Sequence, residues 1–261
     1  MSKIKVWTLD LGGNYPPAIK AITFPWLKHY AKKIGASFEV ITEDKFPGWP
    51  DRTNKFQLFE FLRGEEDTWA IFFDADTLIN PDQVNFAELI SPDTVMHNAN
   101  DFSPIRWKPD NYFLRDGRHL GSCSWFFMAH SMCRDFFTPP TMQQHETEDR
   151  FLTLDEIVDR IRPTQNEVTQ GLSPDHLIDD YCLSRNISRF GLKFTSVLKI
   201  MQRNMIQGSY FMHQYLMTVP KKVEELKKVH HIWQLDGNVP PCDNQACPRC
   251  HPGGAAPQFV R

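Results

Sequence analysis

Two carboxylates one residue apart, Asp74 and Asp76, end an apolar run, Thr68-Trp-Ala-Ile-Phe-Phe, in this 261-residue chain. A run that short and that apolar predicts a buried strand of an α/β sheet. Ligands of such sheets gather beyond the carboxyl ends of the strands. Paired carboxylates there are hard oxygen donors, which suit magnesium, manganese or calcium and not zinc. Spacing alone also fits a strand whose acidic end starts a turn, since Asn80-Pro81-Asp82 follows.

Further residues of chemical interest come later in the chain. Asp179 and Asp180 lie beside the apolar face (Leu177, Tyr181, Leu183, Ile187, Phe190) of a helix predicted over 173–190, with Ser173 or Asp175 as cap and Gly191 as stop. Adjacent acids half turned to a core are costly unless they work or are paired, and Arg185 or Arg189 could pair them. His213, in a strand-like segment, and His230, late in a helix, are both candidate metal ligands, with His213 favoured. Between Asp82 and His119 the chain reads as irregular. It interleaves rings and bases (Phe102, Arg106, Trp107, Lys108, Tyr112, Phe113, Arg115, Arg118), a mixture that stacks planar or sugar ligands and pairs phosphates, or forms a solvated loop. Cys242, Cys247, Cys250 and His251 offer four zinc-type ligands, expected to staple the tail if metallated. Cys123, Cys133 and Cys182 read as reduced core residues.

The elements that must position these residues follow from periodicity. Lys3–Asp10 alternates and runs into Gly12-Gly13, a strand and a turn where a backbone can approach a ligand. Helices are expected over 24–34 and 52–62, with strands at 37–42, 68–73, 121–129, 193–200 and 208–215. A short helix is expected at 154–161 and a final one at 219–233. The β-α-β-α-β order predicts a mostly parallel central sheet flanked by helices, with Asp10, Asp74 and Asp76 on one edge. Residues 1–233 read as one domain and 234–261 as a Pro/Gly-rich tail.

Composition narrows the classes. Hydrophobic residues make up 41% and charged residues 23%, as in a globular protein with a core. The net charge of −3, from 29 basic and 32 acidic residues, gives no global pull toward nucleic acid or an anionic membrane. No apolar run reaches the roughly 20 residues of a membrane span, and no signal-peptide core opens the sequence, so a cytoplasmic location is expected.

In order, Arg52-Thr-Asn-Lys55, Phe-Phe-Asp74-Ala-Asp76-Thr-Leu, Gly121-Ser-Cys-Ser-Trp125, Ile-Asp179-Asp180-Tyr and a late histidine resemble the nucleotide-sugar glycosyltransferases of the GT-A (Rossmann-like) fold with a D-x-D metal motif. The likeness spans residues 3–233. It implies transfer of a sugar from a nucleoside-diphosphate donor, a UDP-sugar above all, to an acceptor hydroxyl, with Mn2+ or Mg2+ held by Asp74, Asp76 and His213 or His230. It implies that Thr8, Leu9, Asp10, Arg52, Lys55 and Ala75 line the nucleotide and phosphate side. Gly121, Ser122 and Trp125 would line the donor-sugar and acceptor side, and Asp180, or else Asp179, would be the base. A saccharide or lipid-linked glycan is the default acceptor; a hydroxymethylated DNA base is the alternative. Two rivals stand beside this reading. The Asp74-x-Asp76 stretch also resembles the first motif of haloacid-dehalogenase-like phosphatases, with Asp74 as nucleophile and magnesium assisting. A non-catalytic nucleotide-binding protein on the same fold is the other.

Overall fold

The computed structural model describes residues 2–13, 15–80, 83–98, 108, 125–163, 165–169, 171–204, 211–213 and 217–235. Gly121 and Ser122, most of the ring-and-base stretch, and the Cys242, Cys247, Cys250, His251 group lie outside them.

Six strands form the central sheet in the order β2-β1-β3-β6-β5-β7. They are β1 (Lys3–Leu9), β2 (Ser37–Ile41), β3 (Thr68–Phe73), β5 (Thr94–His97), β6 (Phe126–His130) and β7 (Lys193–Ser196). β2, β1 and β3 pair in parallel, β5 and β7 pair in parallel, and β6 runs antiparallel between β3 and β5. The carboxyl ends of β1, β3 and β5 therefore share one edge. A second, two-stranded sheet pairs β4 (Thr77–Ile79) with β8 (Phe211–His213), antiparallel.

The period-2 alternation of β1 and β3 sorts residues onto two buried faces. Trp7, Leu9, Ala70 and Phe72 meet Phe127, Leu58 and the helix α5 (Ile178–Arg189) through Ile178, Tyr181 and Ile187. Val6, Ile71 and Phe73 meet Phe126, Met128 and the helix α1 (Pro17–Lys33) through Leu27, Tyr30 and Ala31. Every residue of β3 is buried, as its unbroken apolar pattern requires. The ring pairs Phe72–Phe127 (4.8 Å) and Phe73–Phe126 (4.9 Å) lock β3 to β6 on both faces. A smaller apolar cluster seats the last described helix, α7 (Val219–Leu235), on α1 and β4 through Leu226, Val223, Ile19, Ile22, Trp26 and Leu78.

Several expectations need correction. The helix expected over 52–62 is a 3-10 segment, Asp51–Gln57, followed by a single α turn, α2 (Leu58–Phe61). The helix at 173–190 likewise opens as a 3-10 turn, Pro174–Leu177, and Ser173 caps nothing with its side chain; its hydroxyl turns to Asp175. The strand expected over 193–200 stops at Ser196, whose hydroxyl accepts from Lys199 N and starts a helix, α6 (Val197–Arg203). The segment from 82 to 119, expected to be irregular, contains β5. The helix expected over 154–161 is present as α3 (Leu154–Asp159), fixed by a Thr153/Glu156 capping box, and among the described residues a further short α-helix, α4 (Gln165–Thr169), follows it.

Candidate active site

The site lies beyond the carboxyl ends of β1 and β3. β3 ends at Phe73, and Asp74-Ala75-Asp76-Thr77 turns at once, Thr77 N donating to Asp74 O at 3.0 Å. The turn is fixed from both sides. Asp74 N donates to Trp125 O, just before β6, at 2.9 Å. Thr23 Oγ1, on α1, donates to Ala75 O at 2.5 Å. Asp74 is half-buried, whereas Asp76 is 1% exposed and Ala75 is buried.

A carboxylate buried that deeply requires a positive partner. Lys222, in the first turn of α7, supplies it: its ammonium contacts Asp76 Oδ2. The Tyr15 hydroxyl also bonds Asp76, and burial first, then the charges of Asp76 and Asp74, hold that phenol protonated far above its ordinary range.

Asp74 is met by Lys55, whose Nζ lies 2.8 Å from Asp74 Oδ1 and 2.8 Å from Asp179 Oδ2. Burial alone would lower the Lys55 pKa; Asp179, then Asp74, overcome it and push it upward, so the ammonium stays charged. The ammonium lies over the Phe72 ring, 5.4 Å from the centroid. Asp179 thus has Lys55 as a charge partner, while Arg185 is buried on Gln143 Oε1, Gln144 O and Glu146. Asp179 Oδ1 also accepts from Asp180 N (3.1 Å), at the helix end whose dipole favours anions. Asp180 itself is half-buried.

On the β1 side, Leu9 and Thr8 are buried and Asp10 is 9% exposed. Asp10 Oδ2 accepts from Lys20 Nζ at 2.6 Å, and Oδ1 from Tyr15 N at 3.1 Å. Gly12 and Gly13 have φ of 55° and 79°, so the chain turns between Asp10 and Tyr15 in a conformation that favours glycine. Arg52 Nη1 donates to His176 O at 2.7 Å, tying the 3-10 segment before α2 to the one before α5. The His176 imidazole is lowered to about 4, by burial first and then by the Arg52 charge.

The two histidines fall differently. The backbone of His213 stands opposite Thr77, the residue after Asp76, in the β4–β8 register. His230 Nδ1 accepts from Trp26 Nε1 at 2.8 Å, and its ring packs edge-on against the indole. It lies eight residues beyond Lys222, about 12 Å along α7 at the usual rise. Among the described residues, no three His, Cys, Asp or Glu side chains converge on one point.

The residues that sequence reasoning missed are Tyr15, Lys20, Thr23, His176 and Lys222. Lys20, Thr23 and Trp26 recur every three residues on α1, a stripe that meets Asp10, the acidic turn and α7 in succession. The hard oxygens of Asp74 and Asp76 and the nearby register position of His213 fit a divalent cation, provided that the Lys222 ammonium gives up Asp76.

No family model matches the sequence, and no curated protein matches it. Among solved structures, the chain is similar to a glycosyltransferase involved in the glycosylation of the major capsid of PBCV-1. That likeness has 11% identity and a TM-score of 0.44, over 87% of this chain and 99% of that one.

Proposed function

We propose that this chain is a metal-dependent glycosyltransferase that moves a sugar from a nucleoside-diphosphate donor to an acceptor hydroxyl. The observation that carries the reading is the acidic turn itself. Asp74 and Asp76 stand at the carboxyl edge of the sheet, each with a lysine against it, and Lys55 joins that turn to Asp179 at the head of α5.

Asp74 and Asp76, with His213 as the favoured third ligand and His230 the other candidate, would hold Mn2+ or Mg2+. When bound, that ion neutralises the negative charge that grows on a departing diphosphate. Lys55 keeps the Asp74 carboxylate oriented and would face the phosphates with Arg52 beside it. Thr8, Leu9 and Asp10 would border the nucleoside. Trp125, with Gly121 and Ser122, would border the sugar and acceptor. Asp180 would take the acceptor hydroxyl proton as the new glycosidic bond forms, while the sugar–phosphate bond electrons leave with the diphosphate. Asp179, committed to Lys55, would serve as the orienting partner.

A saccharide or lipid-linked glycan is the acceptor class this reading takes, with a hydroxymethylated DNA base as the other. Among the described residues no helix is long and apolar enough to cross a membrane. The test is a thermal-shift screen of nucleotide sugars with manganese, followed by an acceptor screen that includes modified DNA. A UDP-sugar is expected to stabilise the protein only with the metal. Release of inorganic phosphate from phosphomonoesters, with no response to any sugar nucleotide, would instead favour the phosphohydrolase reading. Nucleotide binding without transfer or hydrolysis would favour the non-catalytic one.

A further inference from the structure

We infer that Lys222 is an exchangeable internal cation: it neutralises Asp76 in the metal-free protein and is displaced when a divalent ion binds, so that metal occupancy controls the seating of the first turn of α7. This rests on the metal-site reading above and goes beyond it.

Three observations carry the inference. The Asp76 side chain is 2% exposed and that of Lys222 15%, so the pair is withdrawn from water and neither charge is neutralised by solvent. Lys222 sits in the first turn of its helix, where the macrodipole disfavours a cation, and Lys221 stands beside it. That placement is unfavourable for the helix alone and is offset by the Asp76 carboxylate. The anchor of α7 lies elsewhere. Leu226 is fully buried in the small apolar cluster, and His230 holds Trp26, whereas Val219 is 45% exposed. The opening turn can therefore move while the rest of the helix stays packed. A divalent ion at Asp76 would stand within a few ångströms of the Lys222 ammonium on the same carboxylate, and the repulsion between the two cations favours release of the ammonium. The expelled ammonium stays on a turn next to the site, where an anionic ligand of the metal would meet it.

The test compares Mn2+ affinity, by calorimetry and by the electron paramagnetic resonance of free Mn2+, in the wild-type chain and in Lys222→Met, which keeps the apolar stem. The variant is expected to bind Mn2+ about tenfold more tightly or better. It should also be less stable without metal and show a larger Mn2+-induced rise in Tm. The second measurement needs no variant: in the wild type, Mn2+ should speed amide hydrogen exchange at 222–224 and leave 226–230 unchanged. Equal Mn2+ affinities, or exchange at 222–224 slowed by Mn2+, would overturn the exchange while leaving the metal site standing. Absence of Mn2+ binding in both proteins at millimolar metal would overturn the metal reading and the exchange with it.

Discussion

The Lys55 ammonium lies 2.8 Å from the Asp179 carboxylate and so joins segments 124 residues apart in the chain. The same nitrogen reaches Asp74. One side chain thus sets the distance between the acidic turn after β3 and the head of α5, which are the two places where the proposed chemistry has its acids.

Lys55→Met should cost about 3–5 kcal/mol, because it leaves two carboxylates facing each other in a site with little water. Urea unfolding checks this. Lys55→Arg should recover only part of the loss, since the guanidinium fork does not fit a space shaped for a single nitrogen. A loss below about 1 kcal/mol for Lys55→Met would mean that water or the chain relaxes into the gap.

The two acids of α5 should separate by phenotype. Asp180→Asn is expected to lower kcat for transfer by about 10²–10⁴-fold with little change in stability, the range for a general base. Asp179→Asn should lower stability by removing the Lys55 partner. Steady-state transfer kinetics together with unfolding of both variants decide the assignment. The reverse pattern would make Asp179 the base.

Thr23→Val should cost about 1–3 kcal/mol, since it keeps the side-chain shape and leaves the Ala75 carbonyl buried without the α1 hydroxyl. It should also weaken Mn2+ binding, because the turn that presents both acids loses its fixed point on α1. Unchanged metal affinity would show that the Trp125 carbonyl alone is enough to hold the turn.

Stability should fall as pH drops below 6.5. His97 is buried against Phe194, with both ring nitrogens lacking a hydrogen-bond partner among the described residues. Burial first, then the Lys199 charge, lower its pKa to about 3. His176 is lowered to about 4. Between those values and 6.5 the unfolded chain binds protons that the folded chain does not, so stability rises with pH across that window and is lost on acidification. Glu146 adds a second loss below its ordinary 4.5. Burial alone would raise its pKa, but hydrogen bonds from Arg160 and Arg185 lower it to about 2. Urea midpoints between pH 7.5 and 5 measure the first window. His97→Phe should flatten the slope there; an unchanged slope would mean that His97 finds a proton-accepting partner when charged.

The sheet edge was legible in the sequence because its cause is local. The unbroken apolar run of β3 and the acids that end it stand side by side, as do the alternation of β1 and Asp10. α5 was legible from its apolar spacing. β5 escaped because Thr94–His97 is four residues long, too short for periodicity to register, and its strand state depends on β6 and β7 on either side. β7 was read as too long because Ser196 caps a helix with a hydroxyl that propensity alone does not distinguish from a strand residue. Lys222 and Lys20 carry no signal of their own in the sequence, and Lys20 even precedes the helix expected from 24. Only tertiary packing shows that each reaches an acid, at 76 and 10 respectively, and the same holds for the phenol of Tyr15.

The most direct measurement is nucleoside-diphosphate release from a UDP-sugar panel by the wild-type chain and by Asp76→Ala, with Mn2+ and with chelator. The wild type should turn over with Mn2+ and stop with chelator. Asp76→Ala should lose about three decades of rate, the value of roughly 4 kcal/mol of charge stabilisation at about 4 Å and an effective dielectric of about 20. Wild-type turnover by Asp76→Ala in the presence of Mn2+ would contradict the assignment of that carboxylate to the metal.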